Sequence, residues 1–371
     1  MTAEPAKTSI WAVVKRLYPP IIFLPIAIAI HLPLLVTDFD FYSGDASDLI
    51  PFVFGTKQLQ YNTYKQLLEI PFWNPHLFFG QPTVGNIQYA LFYPLNFFFF
   101  VFPFFTALIT SQIFHFTIAG TGLYLLARRL GCDKPGSLLS GALFMLNGRL
   151  LYYIQAGWFG YFCSTCWIPL LILAAINVIE RQNRHLMVVF GAVFALSLLS
   201  GTPQYAFFGG ALFLVHGAFS AIVAKTRSSR YRILYGMLVS GLIGVLLASV
   251  QIFPSAEQTY LSTRVLLNST NQGFHFSWDL QQWFRLLFRP ELLRHDFSWE
   301  LCAYIGAGGM LLAILGFRCG RIRLSILIIW GVIPLLASMG AAFPPVNTLL
   351  SMTPGLSMLA NPSRYFSFTI V

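Results

Sequence analysis

Apolar runs long enough to cross a bilayer recur along the whole chain. A helix rises 1.5 Å per residue, so about 20 mostly apolar residues cross a hydrocarbon core. Residues 17–36 form such a run, as do 106–127, 136–153, 161–179, 186–202, 206–224 and 233–253. Residues 303–317 and 324–339 follow, and a tenth run starts near Ser363 and is cut at Val371. With 56% hydrophobic and only 10% charged residues, an ordinary water-soluble domain is excluded. The expectation is an all-α polytopic membrane protein with about nine to ten transmembrane helices. It forms a single membrane domain over residues 1–371 and is expected to stop short of its natural C-terminus. The first run is expected to stay as an anchor. No small-x-small cleavage site follows it, and Pro19, Pro20 and Pro33 punctuate it.

Lys and Arg collect in cytoplasmic loops, so the charges orient these spans. With the N-terminus inside, the inner segments hold 15 of the 23 basic residues, from Lys7 through Arg128, Arg129 and the Lys225–Arg232 group to Arg323. Only Glu4, Asp133 and Glu180 oppose them. The pI of about 9.5 then reflects topology. No aromatic-interleaved basic groove or nucleic-acid motif accompanies it, so nucleic acid is not an expected partner. The charges predict a multi-pass membrane protein with a cytoplasmic N-terminus. Residues 91–105 are apolar too, but counting them as a span would invert every later loop. Short, aromatic and broken by Pro94 and Pro103, they read as a re-entrant or interfacial segment.

Two outer loops are large enough to build a site, residues 37–105 and 254–301. Both are rich in Trp, Phe, Tyr and Pro, which argues for ordered surface helices. Residues 281–289 are amphipathic, and Arg285, Arg289 and Arg294 suit lipid headgroups. Membrane lipids are therefore expected neighbours. Cys163-Ser164-Thr165-Cys166 supplies two ligands where structural zinc needs four, and reads as small residues packed between helices.

Chemistry concentrates at the start of the first loop. Asp38, Asp40, Asp45 and Asp48 fall within eleven residues. Gly44 permits a tight turn beside Asp45, whose carboxylate can take a proton from an acceptor hydroxyl or hold a divalent cation, Mg or Mn. Asp48, three residues on, shares its face if the stretch is helical, and would share such a cation. Asp38 and Asp40 read as solvated helix-end charges. Further along, Asn74, His76, Gln81 and Gln88 are candidates to hydrogen-bond sugar hydroxyls within a loop punctuated by turn signals.

These motifs resemble, in order and spacing, the YfhO-type bacterial membrane proteins, related in fold to type-C glycosyltransferases. The resemblance rests on Gly44-Asp45 with Pro51-Phe52, Trp73-Asn74-Pro75, Gly80 with Pro82, and Phe92-Tyr93-Pro94. It continues through Trp167-Ile168-Pro169-Leu170, Gly201-Thr202-Pro203-Gln204, Gln251-Ile252-Phe253-Pro254 with Arg264, Tyr304-Ile305-Gly306 and Pro362-Ser363-Arg364. The chain departs from it at Thr202, where members often carry His, and at Ala360, where a second Arg often stands. The resemblance implies an enzyme that passes a sugar from a polyprenyl-phosphate donor to an envelope polysaccharide, lipid or protein on the extracytoplasmic face. It also implies a catalytic aspartate in the first outer loop, by position Asp45, with Gln204 among the substrate-binding residues.

Bond chemistry points the same way. A glycosidase needs two carboxylates because its leaving alcohol must be protonated. A sugar on a lipid phosphate already carries a good leaving group. It needs one carboxylate for the acceptor and a cation for the departing phosphate. Arg264, Arg364 and Arg149 are outer-side candidates for that cation, although Arg149 also suits a side chain snorkelling to the interface. A transporter or flippase of envelope precursors is the main alternative. Transporters place ionisable groups near the midplane, and here the acidic residues lie almost wholly in loops. A non-catalytic envelope-assembly subunit is the second alternative.

Overall fold

Prolines and asparagines decide where the apolar runs break into helices. The computed structural model describes residues 21–32, 47–77, 79–262, 323–339, 345, 348 and 362–371. Helix α1, Ile21–Leu32, is the described part of the first apolar run. A π-helical turn, Leu49–Phe54, runs directly into α2, Gly55–Leu67. A two-stranded antiparallel hairpin follows: β1 is Trp73–Asn74, β2 is Gln81–Pro82, and Asn74 pairs with Gln81.

Residues 91–105 make short pieces. A 3₁₀ turn at Pro94–Phe97 leads into α3, Phe98–Val101, and the chain turns extended at Phe102 before Pro103 opens α4, Phe104–Arg129. Each proline lacks an N–H and so marks a start where no intrahelical bond is lost.

Two expected single spans are each divided. Run 136–153 becomes α5, Lys134–Met145, and α6, Gly148–Gln155. The reason is Asn147, whose side chain accepts from the Leu150 amide at 2.9 Å and caps a new helix. Run 161–179 becomes α7, Phe159–Cys166, and α8, Ile168–Arg181, joined at Trp167 with Pro169 in the first turn of α8. Helices α9, Arg184–Leu199, and α10, Pro203–Val223, keep close to their expected runs. Helix α11, Arg227–Tyr260, is 34 residues long and continues through Pro254. Helix α12, Leu324–Ser338, contains a π-helical turn at Ile328–Val332. A 3₁₀ turn, Pro362–Tyr365, leads into α13, Phe366–Ile370. The expected run 303–317 lies outside the described residues.

Phe159–Arg181, Pro203–Val223 and Arg227–Tyr260 are long and apolar enough to cross a membrane. The protein is thus mostly helical and carries membrane-spanning candidates. Helix α4 packs on α5 and α8, α9 packs on α11, and α10 lies among α8, α9 and α11. Gly191 of α9 and Gly244 of α11 let the two backbones approach, since a Cβ on Gly191 would meet the Gly244 nitrogen at 3.0 Å. Leu214 and Ile222 of α10 and Leu238 and Phe253 of α11 are exposed, an apolar surface suited to lipid.

Contacts between helix ends give the bundle two chemically distinct ends. The basic end gathers the close of α4 and α8 and the start of α12, where Arg129 and Arg323 both pair with Glu180. The loop end gathers α2, the hairpin, α6, the starts of α7 and α10, and the 3₁₀ turn before α13.

Buried polar bonds fasten the first loop to the loop end. Lys57 of α2 donates to the Tyr89 carbonyl at 2.6 Å and to Asn96 Oδ1 at 2.7 Å. Gln60 donates to the same carbonyl at 2.9 Å. The Tyr93 hydroxyl meets His115 Nε2 at 2.7 Å and accepts from Trp167 Nε1 at 2.8 Å. Burial pushes the Tyr93 hydroxyl well above its ordinary range, so it stays neutral as donor and acceptor.

Candidate functional site

The loop-end site is built where the turn between α6 and α7 meets the start of the first described loop. Gly157 sits in that turn with φ +71°, and a Cβ there would lie 2.2 Å from the Leu49 nitrogen. Only glycine fits both the backbone angle and the space. The close approach lets the Asp48 amide donate to the Ala156 carbonyl at 3.0 Å. It also lets Trp158 Nε1 donate to Asp48 Oδ2 at 2.9 Å. Asp48 is otherwise exposed, so one carboxylate oxygen is anchored and the residue faces outward.

Trp158 and Tyr161 also receive Arg364. Its guanidinium lies 4.1 Å from the Tyr161 ring centre and 5.8 Å from that of Trp158. It donates to the Tyr161 hydroxyl and, at 3.2 Å, to Gln204 Oε1. Gln204 is buried in the first turn of α10, which Pro203 opens. Stacking on two rings with two directional hydrogen bonds fixes a planar guanidinium as it would not fix an ammonium. Arg364 remains partly exposed, so its charge can still be reached from outside.

Behind this pair runs a buried hydroxyl chain. Arg149 is 1% exposed and donates from Nε to the Tyr153 hydroxyl at 2.9 Å. Tyr153 and Tyr205 share a hydrogen bond at 2.7 Å, and Ser367 Oγ donates to the Tyr205 hydroxyl at 3.3 Å. The snorkelling alternative for Arg149 is therefore corrected: the side chain lies inside the protein, bonded to the tyrosine of its own helix. The rings of Tyr153, Trp158, Tyr161 and Tyr205 form one cluster, with neighbouring centres 5.6 to 6.5 Å apart.

Four of the sequence candidates thus join one network: Asp48, Arg149, Gln204 and Arg364. The hairpin candidates are placed otherwise. Asn74 Nδ2 donates to the Tyr89 hydroxyl at 2.8 Å, and Gln81 Nε2 reaches the same oxygen at 3.4 Å. The Asn74 Oδ1 accepts the His76 amide at 2.9 Å, which makes the hairpin turn. These amides hold the hairpin to the Tyr89 turn, while the His76 and Gln88 side chains are exposed. The Gln88 carbonyl packs beside Gly201, just ahead of Gln204, so the hairpin braces the network from one side. Asp38, Asp40, Asp45 and Arg264 lie outside the described residues.

Sequence reasoning missed Trp158, Tyr161, Tyr153, Tyr205 and Lys57. The aromatics were indistinguishable from an interfacial belt. Lys57 is 2% exposed, and burial lowers its amine to about 7, partly offset by the neighbouring Cys163 sulfur. No local signal marks a buried lysine in a loop helix whose buried face is polar, with Thr56 and Gln60 beside it. Cys163 and Cys166 are buried free thiols in α7. Among the described residues no group of three or more His, Cys, Asp or Glu side chains gathers. A pocket at the basic end is lined by Lys225, Arg227 and Arg230.

No curated protein matches the chain. A family profile matches residues 74–337, well over half of it, from the hairpin through α12. That stretch carries Arg149, Trp158, Tyr161 and Gln204 together with the three long apolar spans found among the described residues. The chain belongs to DUF2079, a family described as predicted membrane proteins.

Proposed function

We propose that this protein is a membrane glycosyltransferase of the type-C kind, moving a sugar from polyprenyl phosphate to a cell-envelope acceptor at its loop end. The observation that carries the reading is the setting of Arg364. An arginine clamped by two aromatic rings and a buried amide, beside an anchored aspartate, suits recognition of a phosphate close to a sugar. The likeness to YfhO-type proteins supports the same reading. The positive-inside rule puts the basic end in the cytoplasm, and with it the N-terminus of a multi-pass protein in the bacterial inner membrane. The loop end then faces outward.

The reaction follows from bond chemistry. An acceptor hydroxyl attacks the anomeric carbon, the bond from that carbon to the phosphate oxygen breaks, and polyprenyl phosphate leaves with the electron pair. Asp45 takes the hydroxyl proton. Arg364 meets the charge that gathers on the phosphate, and Trp158, Tyr161 and Gln204 keep the guanidinium aimed. Three peptide units separate Asp45 from Asp48, a reach of at most about 11 Å. A divalent cation, Mg or Mn, would be held by Asp45 and the Asp48 oxygen that Trp158 leaves open, and would supply charge stabilisation. Tyr153, Tyr205 and Arg149 form the rigid floor, excluding water behind the reacting groups.

The test is complementation of a gene deletion, read by mass spectrometry of envelope polymers. Wild type restores a defined sugar, and Asp45→Asn, inserted at equal level, does not. Full restoration by Asp45→Asn would remove the catalytic assignment. Gradient-dependent uptake in proteoliposomes would favour a transporter.

A further inference from the structure

The cavity at the basic end differs in kind from the loop-end site. About 440 Å³ in volume, it lies between the close of α10 and the start of α11, lined by Ala224, Lys225, Thr226, Arg227, Arg230 and Tyr231. Lys225, Arg227, Arg230 and Arg232 fall within eight residues, and no Asp or Glu occurs between Glu180 and Glu257. Among the other basic residues at this end, Arg129 and Arg323 share Glu180 at 2.6 and 2.9 Å, and Lys134 follows Asp133.

The cavity's arginines are also held in position. Arg230 Nε donates to the Ala221 carbonyl at 3.0 Å, closing the last turn of α10. Arg227 donates from Nε and Nη2 to the Tyr231 hydroxyl at 3.3 and 3.1 Å. Each guanidinium has five N–H groups and uses only one or two here. A purely solvated charge run would have no such fixed geometry.

The surface next to the cavity supplies the other half of a ligand. Phe219, Ile222 and Val223 of α10 and Leu234 and Leu238 of α11 are exposed beside it. Both helices are long and apolar enough to cross a membrane. A fixed cationic pocket at the end of two lipid-length apolar faces matches a molecule with an anionic phosphate head and acyl tails. We propose that this cavity binds the headgroup of an anionic phospholipid from the surrounding leaflet, with its acyl chains along α10 and α11. The assignment does not depend on the sugar-transfer reading.

The test uses the full chain in nanodiscs of phosphatidylcholine with or without phosphatidylglycerol, with retained lipid read by native mass spectrometry. Wild type keeps phosphatidylglycerol in preference to phosphatidylcholine. The double variant Lys225→Gln, Arg227→Gln lowers that retention about thirtyfold, the effect of two cations at an anionic surface. Lys225→Arg with Arg227→Lys keeps most of it, which separates charge loss from misfolding. Inorganic phosphate alone does not displace the lipid, because it has no tails to occupy the apolar faces. Undiminished retention in the double Gln variant would overturn the proposal. So would an equal loss in the control Arg128→Gln, Lys134→Gln, or displacement by inorganic phosphate, which would mark a free-phosphate site.

Discussion

At the loop end Arg149 and Lys57 are 1% and 2% exposed, and Arg364 lies against the rings of Tyr161 and Trp158. At the basic end Arg128, Lys134, Arg181, Arg184 and the Lys225–Arg232 group are all exposed, and only Arg129 is partly covered. Exposed cations need only lie on the correct side of a membrane, and their exact partners matter little. Buried ones lose several kcal/mol of hydration each, so they persist only where hydrogen bonds and rings replace water. The basic end therefore records topology, with the pocket beside Lys225 and Arg227 as an exception. The loop end records a structure that holds positive charge in a fixed place, the setting on which the proposed chemistry rests.

The largest test of this contrast is at Arg364. Arg364→Gln is expected to lower sugar transfer about 100- to 1000-fold, the effect of losing one preorganised donor to developing charge. Arg364→Lys recovers little, because an ammonium neither stacks nor forks. Rates measured on inserted protein of equal abundance check both.

Lys57 comes next, and its effect is on stability. Lys57→Ala leaves Asn96 Oδ1 without its donor and opens a cavity, an expected cost of about 3 kcal/mol in mixed-micelle unfolding. Lys57→Met fills the space and costs less. The pH dependence has a definite sign. The folded amine loses its proton near pH 7, and the unfolded one keeps it until about 10.5. Between those values the unfolded chain holds the extra proton, so stability rises as pH rises through the window. Stability is lowest below pH 7, and Lys57→Met flattens the slope. An unchanged slope in that variant would mean another group titrates.

Smaller effects belong to the hairpin and to the basic end. Tyr89→Phe removes the acceptor of Asn74 and Gln81 and should cost about 1 kcal/mol, with proteolysis of the hairpin as a second readout. Arg323→Ala breaks a pair in which the arginine is 70% exposed, and should cost less than about 0.5 kcal/mol. A loss at Arg323 as large as that at Lys57 would erase the difference between the ends.

Much of the helical layout was legible because 20 apolar residues have few other folds in a membrane. The breaks at Asn147 and Trp167 were not: the Asn147 side chain caps a new helix within a long hydrophobic average, and Trp167 makes no side-chain cap. The site was half legible. Asp48 stood out in the carboxylate run, Arg364 as an outer-side cation, and Gln204 only through the motif Gly201-Thr202-Pro203-Gln204 that carries the resemblance. Their partners did not, because Trp158 lies 110 residues from Asp48 and Arg364 lies 203 from Tyr161. Such contacts exist only once the bundle is assembled. Lys57 was invisible for the opposite reason: a lysine in a loop is almost always solvated.

The most direct measurement is binding of a short-chain polyprenyl phosphate to the purified full chain, titrated in nanodiscs and read by native mass spectrometry. Wild type and the basic-end variant Lys225→Gln, Arg227→Gln should bind it alike, and Arg364→Gln should bind it at least about tenfold more weakly. Equal binding by Arg364→Gln and wild type, or loss confined to the basic-end variant, would contradict the placement of the phosphate at the loop end.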